Sequence, residues 1–226
     1  MSRAVNVASA VAAVEAHGAL LLYPVENRRE PRSLWHHYHP RSAMRWDWDS
    51  TGDDRVVALW RLRERLARSR RVVYGKWYRG RATFFSRELF TAMLATYHAS
   101  GDVRSGLDPD ANDVLEALES DSPRSTKELR AEVGLRGRMF EGAYQRALGA
   151  LWSRLLIVGF GEVDDGAFPS LAIGATRALF EDLWDEALSM DPARAARVVA
   201  ACLPPGSALA RQHAKTLATL GSTVRA

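Results

Sequence analysis

Cysteine is nearly absent from the chain. Cys202 stands alone, which excludes an intrachain disulfide and a cysteine-built zinc site and suits a reducing compartment. No run approaches the ~18 consecutive apolar residues of a membrane span, so no membrane partner is expected. The segment from Met1 to Ala19 is alanine-rich, but Glu15 and His17 interrupt it. It therefore reads as an amphipathic helix ending at Gly18 rather than a signal peptide, and the expected location is cytoplasmic. There is no Gly-x-Gly-x-x-Gly, no Gly-Lys-Ser/Thr phosphate loop and no Gly-x-Ser-x-Gly elbow. Nucleotide-dependent and serine-hydrolase chemistry drop out, and no cofactor is expected. Internal repeats and low-complexity tracts are missing as well.

What is present is an ordinary globular composition, 47% hydrophobic and 26% charged over 226 residues, enough to bury a core. Seven tryptophans are expected to be packing anchors. Charge is unevenly placed. From Arg55 to Arg81 ten basic residues face the single acid Glu64, a balance of +9 in a chain whose net charge is +4, so the remainder carries −5. A basic block within a mildly acidic protein attracts a polyanion; the competing reading is a solvated arginine-rich surface.

Along the chain, Asn6–His17 has helical spacing through Val7, Val11 and Val14. Ala19–Val25 is an apolar strand or buried connector. Ser33 caps a short aromatic helix that Pro40 closes. Asp53 or Asp54 opens a helix to about Ser69 with Val56, Leu59, Trp60, Leu62 and Leu66 as its apolar face; Arg61, Arg65 and Arg68 form a second stripe. VVYGKWYRGRATFFS reads as a hairpin turning at Arg79-Gly80. Strand alternation would put Lys76 and Tyr78 on one face and Trp77 and Arg79 on the other. Ser86 caps a helix to about His98, and residues 99–109, rich in Gly, Ser, Asp and Pro, mark a boundary.

The most specific pattern follows. A short helix (Asn112–Glu119) leads through a Pro123 turn to the capping box of Ser125 and Glu128, and to a second helix through Leu129 and Val133. Gly134 breaks it. A third helix spans about Gly137–Arg154, with Phe140, Tyr144, Ala147 and Leu151 at core spacing. The strand Leu155–Val163, an Asp164-Asp165-Gly166 turn and the strand Phe168–Ile173 complete the set. This is the order of a winged helix-turn-helix, whose third helix docks in the major groove. Its outer face offers Arg136, Arg138, Gln145 and Arg146, where Arg suits guanine or phosphate and Gln suits adenine. The acidic Asp164-Asp165 tip would repel phosphate, and winged helices also serve as protein-contact modules.

The stretches HGALLLYPVENRREPRSLW, VVYGKWYRGRATFFS and LEALESDSPRSTKELRAEVGLRGRMFEGAYQRALGALWSRLLIVG together resemble the AlkZ-like winged-helix family of bacterial DNA glycosylases, in particular its shorter relatives, over roughly residues 10–190. The resemblance implies DNA binding and a link to repair. Active members of that family carry a Gln-x-Gln or Gln-x-Asp pair shortly after the first helix. The corresponding stretch here is Leu20-Leu21-Leu22-Tyr23-Pro24, and the chain's only glutamines are Gln145 and Gln212. No catalytic residue is carried over.

His36, His37 and His39 could approach a metal with Asp47 or Asp49, but no cysteine completes a set, and no metal is expected. Glu26, Glu30, Asp47 and Asp49 are the candidates for a general base in a glycosylase reading, and Asp47 and Asp49 flank Trp48, which could stack a flipped base. The helices from Thr176 to Leu220 are interrupted at Pro204-Pro205; the acidic set Glu181, Asp182, Asp185 and Glu186 should face away from DNA, and a homodimer contact through them stays open. The expectation is a mainly α chain with small β-hairpins (α+β) containing a winged helix-turn-helix, with a tandem arrangement open. It divides into an N-terminal lobe (1–104), the winged helix (105–190) and C-terminal helices (191–226). The expected partner is duplex DNA, held by Arg61, Arg65, Arg68, Lys76, Arg79 and Arg81 on phosphates and by the third helix in a groove. The rivals are a glycosylase with an unrecognised acid and a non-catalytic scaffold.

Overall fold

A computed structural model describes residues 5–45, 53–163 and 169–223. Helix α1 (Val7–His17) begins where Asn6 Oδ1 accepts the Ser9 amide at 2.8 Å and ends at Gly18. Then come β1 (Ala19–Leu21), α2 (Leu34–Tyr38), α3 (Asp54–Arg68), β2 (Val73–Tyr78), β3 (Arg81–Phe85) and α4 (Arg87–Ser100). Ser33, Asp53 and Ser86 cap α2, α3 and α4 by accepting first-turn amides, as short polar side chains at these positions should. Beyond residues 101–108 lie α5 (Pro109–Ser120), β4 (Arg124–Ser125) and α6 (Thr126–Glu132). A 3-10 turn at Arg138–Phe140 then feeds α7 (Glu141–Ser153), followed by β5 (Ile157–Val163) and β6 (Ser170–Ala175). The remainder is helical: α8 (Thr176–Leu179), α9 (Glu181–Ser189), α10 (Pro192–Cys202) and α11 (Ala208–Thr223). This is an α+β fold, mainly helical, and no described helix is long and apolar enough to cross a membrane.

The strands form one antiparallel sheet in the order β1-β3-β2-β5-β6-β4. Hairpin β2-β3 and hairpin β5-β6 are therefore neighbours, joined where Tyr74 pairs with Gly159. A side chain at Gly159 would fall inside the Tyr74 ring, which is fully buried. We expect Gly159→Ala to cost about 2 kcal/mol through overpacking, read as a lowered midpoint in urea. An unchanged midpoint would mean that this junction has room to spare.

Each face of the sheet has its own core. Leu20, Leu22, Tyr74 and Phe84 pack under α1, α2 and α3. Leu21, Val73, Trp77 and Phe85 pack under the helices of the other face, including α4, α7 and α10, as period-two alternation requires. In β2 the alternation fails. A register shift between Gly75 and Tyr78 turns Tyr78 into the same core as Trp77, so Lys76 and Tyr78 do not share a face; a β-bulge has this effect.

Two expected core residues are on the surface. Trp60 is 43% exposed, and the guanidinium of Arg63 stacks on it at 3.8 Å. Arg63 takes the buried place on α3 beside Leu59, Leu62 and Leu66, because Glu162 on β5 neutralises it there. Phe140 is 37% exposed, since the 3-10 turn offsets it from the stripe that Tyr144, Ala147, Leu148 and Leu151 make on α7. The 101–108 connector is held in place: Val103 is buried, and Arg154 Nη1 donates to the carbonyls of Val103 (2.9 Å) and Ser105 (2.7 Å). Asp47, Trp48, Asp49 and the Asp164-Asp165-Gly166 turn lie outside the described residues.

His213 on α11 is buried, stacked on Tyr97 at 5.2 Å between ring centroids, with Nε2 3.0 Å from Thr96 Oγ1. Burial pushes its pKa down to about 4. Its folded-state value lies below its ordinary value of 6.5, so on acidification the unfolded chain takes up the proton first. Stability should fall as pH drops from 6.5 towards 4, and His213→Gln should flatten that part of a pH–Tm profile. An equally steep profile in the variant would assign the loss to other groups.

Candidate nucleic-acid interface

A concavity of about 1030 Å³ forms a groove between the β2-β3 hairpin and α7, with residues of α6 and α11 also in its lining. The hairpin brings Lys76, Trp77 and Arg79. Helix α6 brings Lys127 and Arg130, the turn before α7 brings Arg136, and α11 brings Lys215. The lining thus holds six cations and no carboxylate. Its floor is aromatic, made by Trp77, Tyr144 and Trp152, all nearly buried. Both glutamines of the chain, Gln145 and Gln212, line it.

The cations are not equivalent. Arg130 Nε donates to Leu135 O and its Nη2 to Gly137 O, each at 2.7 Å, while Nη1 pairs with Glu141. It is spent on fixing the turn that carries Arg136. That turn also needs Gly137, whose φ of 91° suits glycine. Glu141 additionally accepts from Gln145 Nε2 at 3.0 Å, orienting the carboxamide; these two bonds, Gln145's first, lower the Glu141 pKa. By contrast Lys76, Arg79, Arg136 and Lys215 make no ion pair with any described residue. Lys76 is half-buried, and burial, reinforced by Arg63, lowers its pKa. Unpaired cations converging on one surface are held apart from their preferred counter-charge, and an added anion relieves that repulsion.

The groove brings together Lys76, Arg79, Arg136 and Gln145 among the sequence-derived candidates. Arg138 and Arg146 are exposed on α7 and its leading turn but do not line it. Arg61 and Arg65 project from α3 beside a separate shallow depression; α3 covers the opposite face of the sheet. Arg68 is engaged with Glu64 at 3.2 Å and with Glu162 O at 2.7 Å. Arg81 lines a further small pocket, described below. Sequence reading missed Lys127, Arg130 and Lys215. Lys127 and Arg130 share the short helix α6 and Lys215 sits on α11, and nothing local marks them for a groove assembled from distant chain segments.

A family model described as AlkZ related matches residues 4–217. The chain belongs to the AlkZ-related family. No curated protein and no solved structure matches it. In this AlkZ-related chain the stretch Leu20-Leu21-Leu22 is buried between the two cores, and the Tyr23 hydroxyl donates to Val56 O at 2.8 Å. Among the described residues no cluster of three or more His, Cys, Asp or Glu is arranged to hold a metal.

Proposed function

We propose that this AlkZ-related protein binds duplex DNA in the groove between the β2-β3 hairpin and α7. The observation that carries the reading is the lining itself: six cations from four chain segments, with no carboxylate among them. The order α5-β4-α6-α7-β5-β6, with β4 paired to β6, supports treating this unit as a winged helix-turn-helix. In that arrangement α7 enters the major groove. Gln145 then faces base edges while Lys76, Arg79, Arg136 and Lys215 meet phosphates. The acidic helix α9 packs against α4, with Asp182 paired to Arg87, and contributes nothing to the groove lining. Family membership supports a role in DNA repair.

The test is a fluorescence titration of a labelled duplex across salt concentrations. With four or five phosphates neutralised, log Kd should rise with log salt at a slope of about 4. Absence of binding at low salt would overturn the reading in favour of a protein-contact scaffold. Base release from a damaged duplex would add an activity to it.

A further inference from the structure

On the other side of Lys76 the sheet holds a smaller pocket, about 230 Å³, between α3 and the β2-β3 hairpin. It shares Lys76 with the DNA groove but is otherwise distinct, lined by Tyr23, Trp60, Arg63, Tyr74 and Arg81 with apolar neighbours. Tyr74 Oη and Arg63 Nε, on two residues that line this pocket, are buried and make no well-formed hydrogen bond, and the polar group with which the Tyr74 hydroxyl interacts is the Arg63 side chain itself. Tyr74 is 1% exposed. A donor pair left this poorly satisfied is costly, and an acceptor entering the pocket would serve both side chains.

The charges say what. Glu162 offsets Arg63, whereas Lys76 and Arg81 have no carboxylate partner among the described residues and the pocket lining contains none. The excess is two positive charges. A phosphate monoester or free phosphate carries about −1.5 to −2 at neutral pH, whereas each backbone phosphate of DNA carries only one negative charge. A volume of about 230 Å³ is also below that of pockets for larger organic ligands, roughly 300–1,000 Å³. The stack of Arg63 on Trp60, 3.8 Å from the ring centroid, holds one wall in position.

We propose that this pocket binds a terminal or free phosphate through Lys76, Arg81, Arg63 Nε and the Tyr74 hydroxyl. The phosphate comes either from solution or from the 5′ end of a DNA strand whose body lies in the neighbouring groove. The second source rests on the DNA-binding reading; the first does not.

The experiment measures thermal stability of the full chain against inorganic phosphate, with chloride at matched ionic strength as reference. The wild type should show a saturable rise in Tm with phosphate. Tyr74→Phe keeps the ring, removes a hydroxyl that makes no well-formed hydrogen bond, and should be close to wild type in stability without phosphate. In Tyr74→Phe and Arg81→Ala the apparent phosphate affinity should fall at least tenfold. No rise beyond chloride overturns the proposal, and so does a rise that both variants retain, since the anion then sits elsewhere. Titration with 5′-phosphorylated and 5′-hydroxyl duplexes separates the sources: a preference for the phosphorylated end that both variants abolish assigns the strand terminus. Equal binding of the two duplexes leaves free phosphate as the ligand. Because Tyr74 and Arg81 lie outside the groove lining, failure of groove binding appears separately, as loss of binding to the 5′-hydroxyl duplex.

Discussion

Arg79→Glu combined with Arg136→Glu is expected to weaken duplex binding about a hundredfold at moderate salt and to lower the salt slope by about 2. Both residues are exposed and unpaired, and they stand on opposite walls of the groove, one on the hairpin turn and one before α7. Reversal replaces two phosphate contacts by two repulsions, which is why the effect should exceed that of neutralisation. Arg79 makes only an exposed stack on Tyr78, 5.4 Å from the ring centroid, so the far-ultraviolet circular dichroism should be unchanged and the Tm nearly so. Arg65→Glu is the informative control. It lies on α3, on the far face of the sheet, and should alter affinity less than about threefold through long-range electrostatics alone. Were Arg65→Glu the more damaging change, the DNA would lie along α3 and the groove assignment would be wrong.

Glu162→Ala should destabilise the protein by about 3–5 kcal/mol. Arg63 and Glu162 retain only 7% and 14% side-chain exposure. Removing the acid leaves a guanidinium inside the core formed by α3 and the sheet, with its Nε already unpartnered. Much of the loss is the penalty for that stranded charge rather than the strength of the pair. Arg63→Met in the Glu162→Ala background should therefore restore most of the stability, and a urea series on wild type, both single variants and the double variant measures the coupling. A loss under about 1 kcal/mol in Glu162→Ala would show that solvent in the adjoining pocket compensates Arg63 once the carboxylate is gone.

Features set within a few residues were legible in the sequence. Ser33, Ser86 and Ser125 could be read as caps, and Asp53 as one of two candidates with Asp54, because a cap is a contact across two or three residues, and all four accept first-turn amides. The hairpins and the third helix before β5 followed from the same local logic. The buried stripe of α3 was half legible. Spacing from Leu59 points to position 63 as surely as to 62 and 66, but hydrophobicity favoured Trp60, because the acid that lets Arg63 go inside is on β5. Phe140 was assigned to the core by counting 3.6 residues per turn through what is a 3-10 turn. Strand β4, two residues long, has no pattern to detect. The groove shows the limit most clearly: Arg79 and Arg136 each look like one surface arginine among many, and only the packing of α7 against β2 puts them on one wall-to-wall site.

The junction of Tyr74 with Gly159 also has a consequence for biosynthesis. Strand β2 leaves the ribosome with β3 to pair with on one side, while its other partner is still unmade and several helices must emerge first. During that interval the nascent chain displays an open strand edge, a template for pairing with another chain. Lys76 near the end of that edge, with Arg79 and Arg81 around the turn, gives each unfinished copy the same strong positive charge, and like charges discourage two nascent copies from zipping together. The cations proposed to meet a polyanion would thus already keep half-made molecules apart.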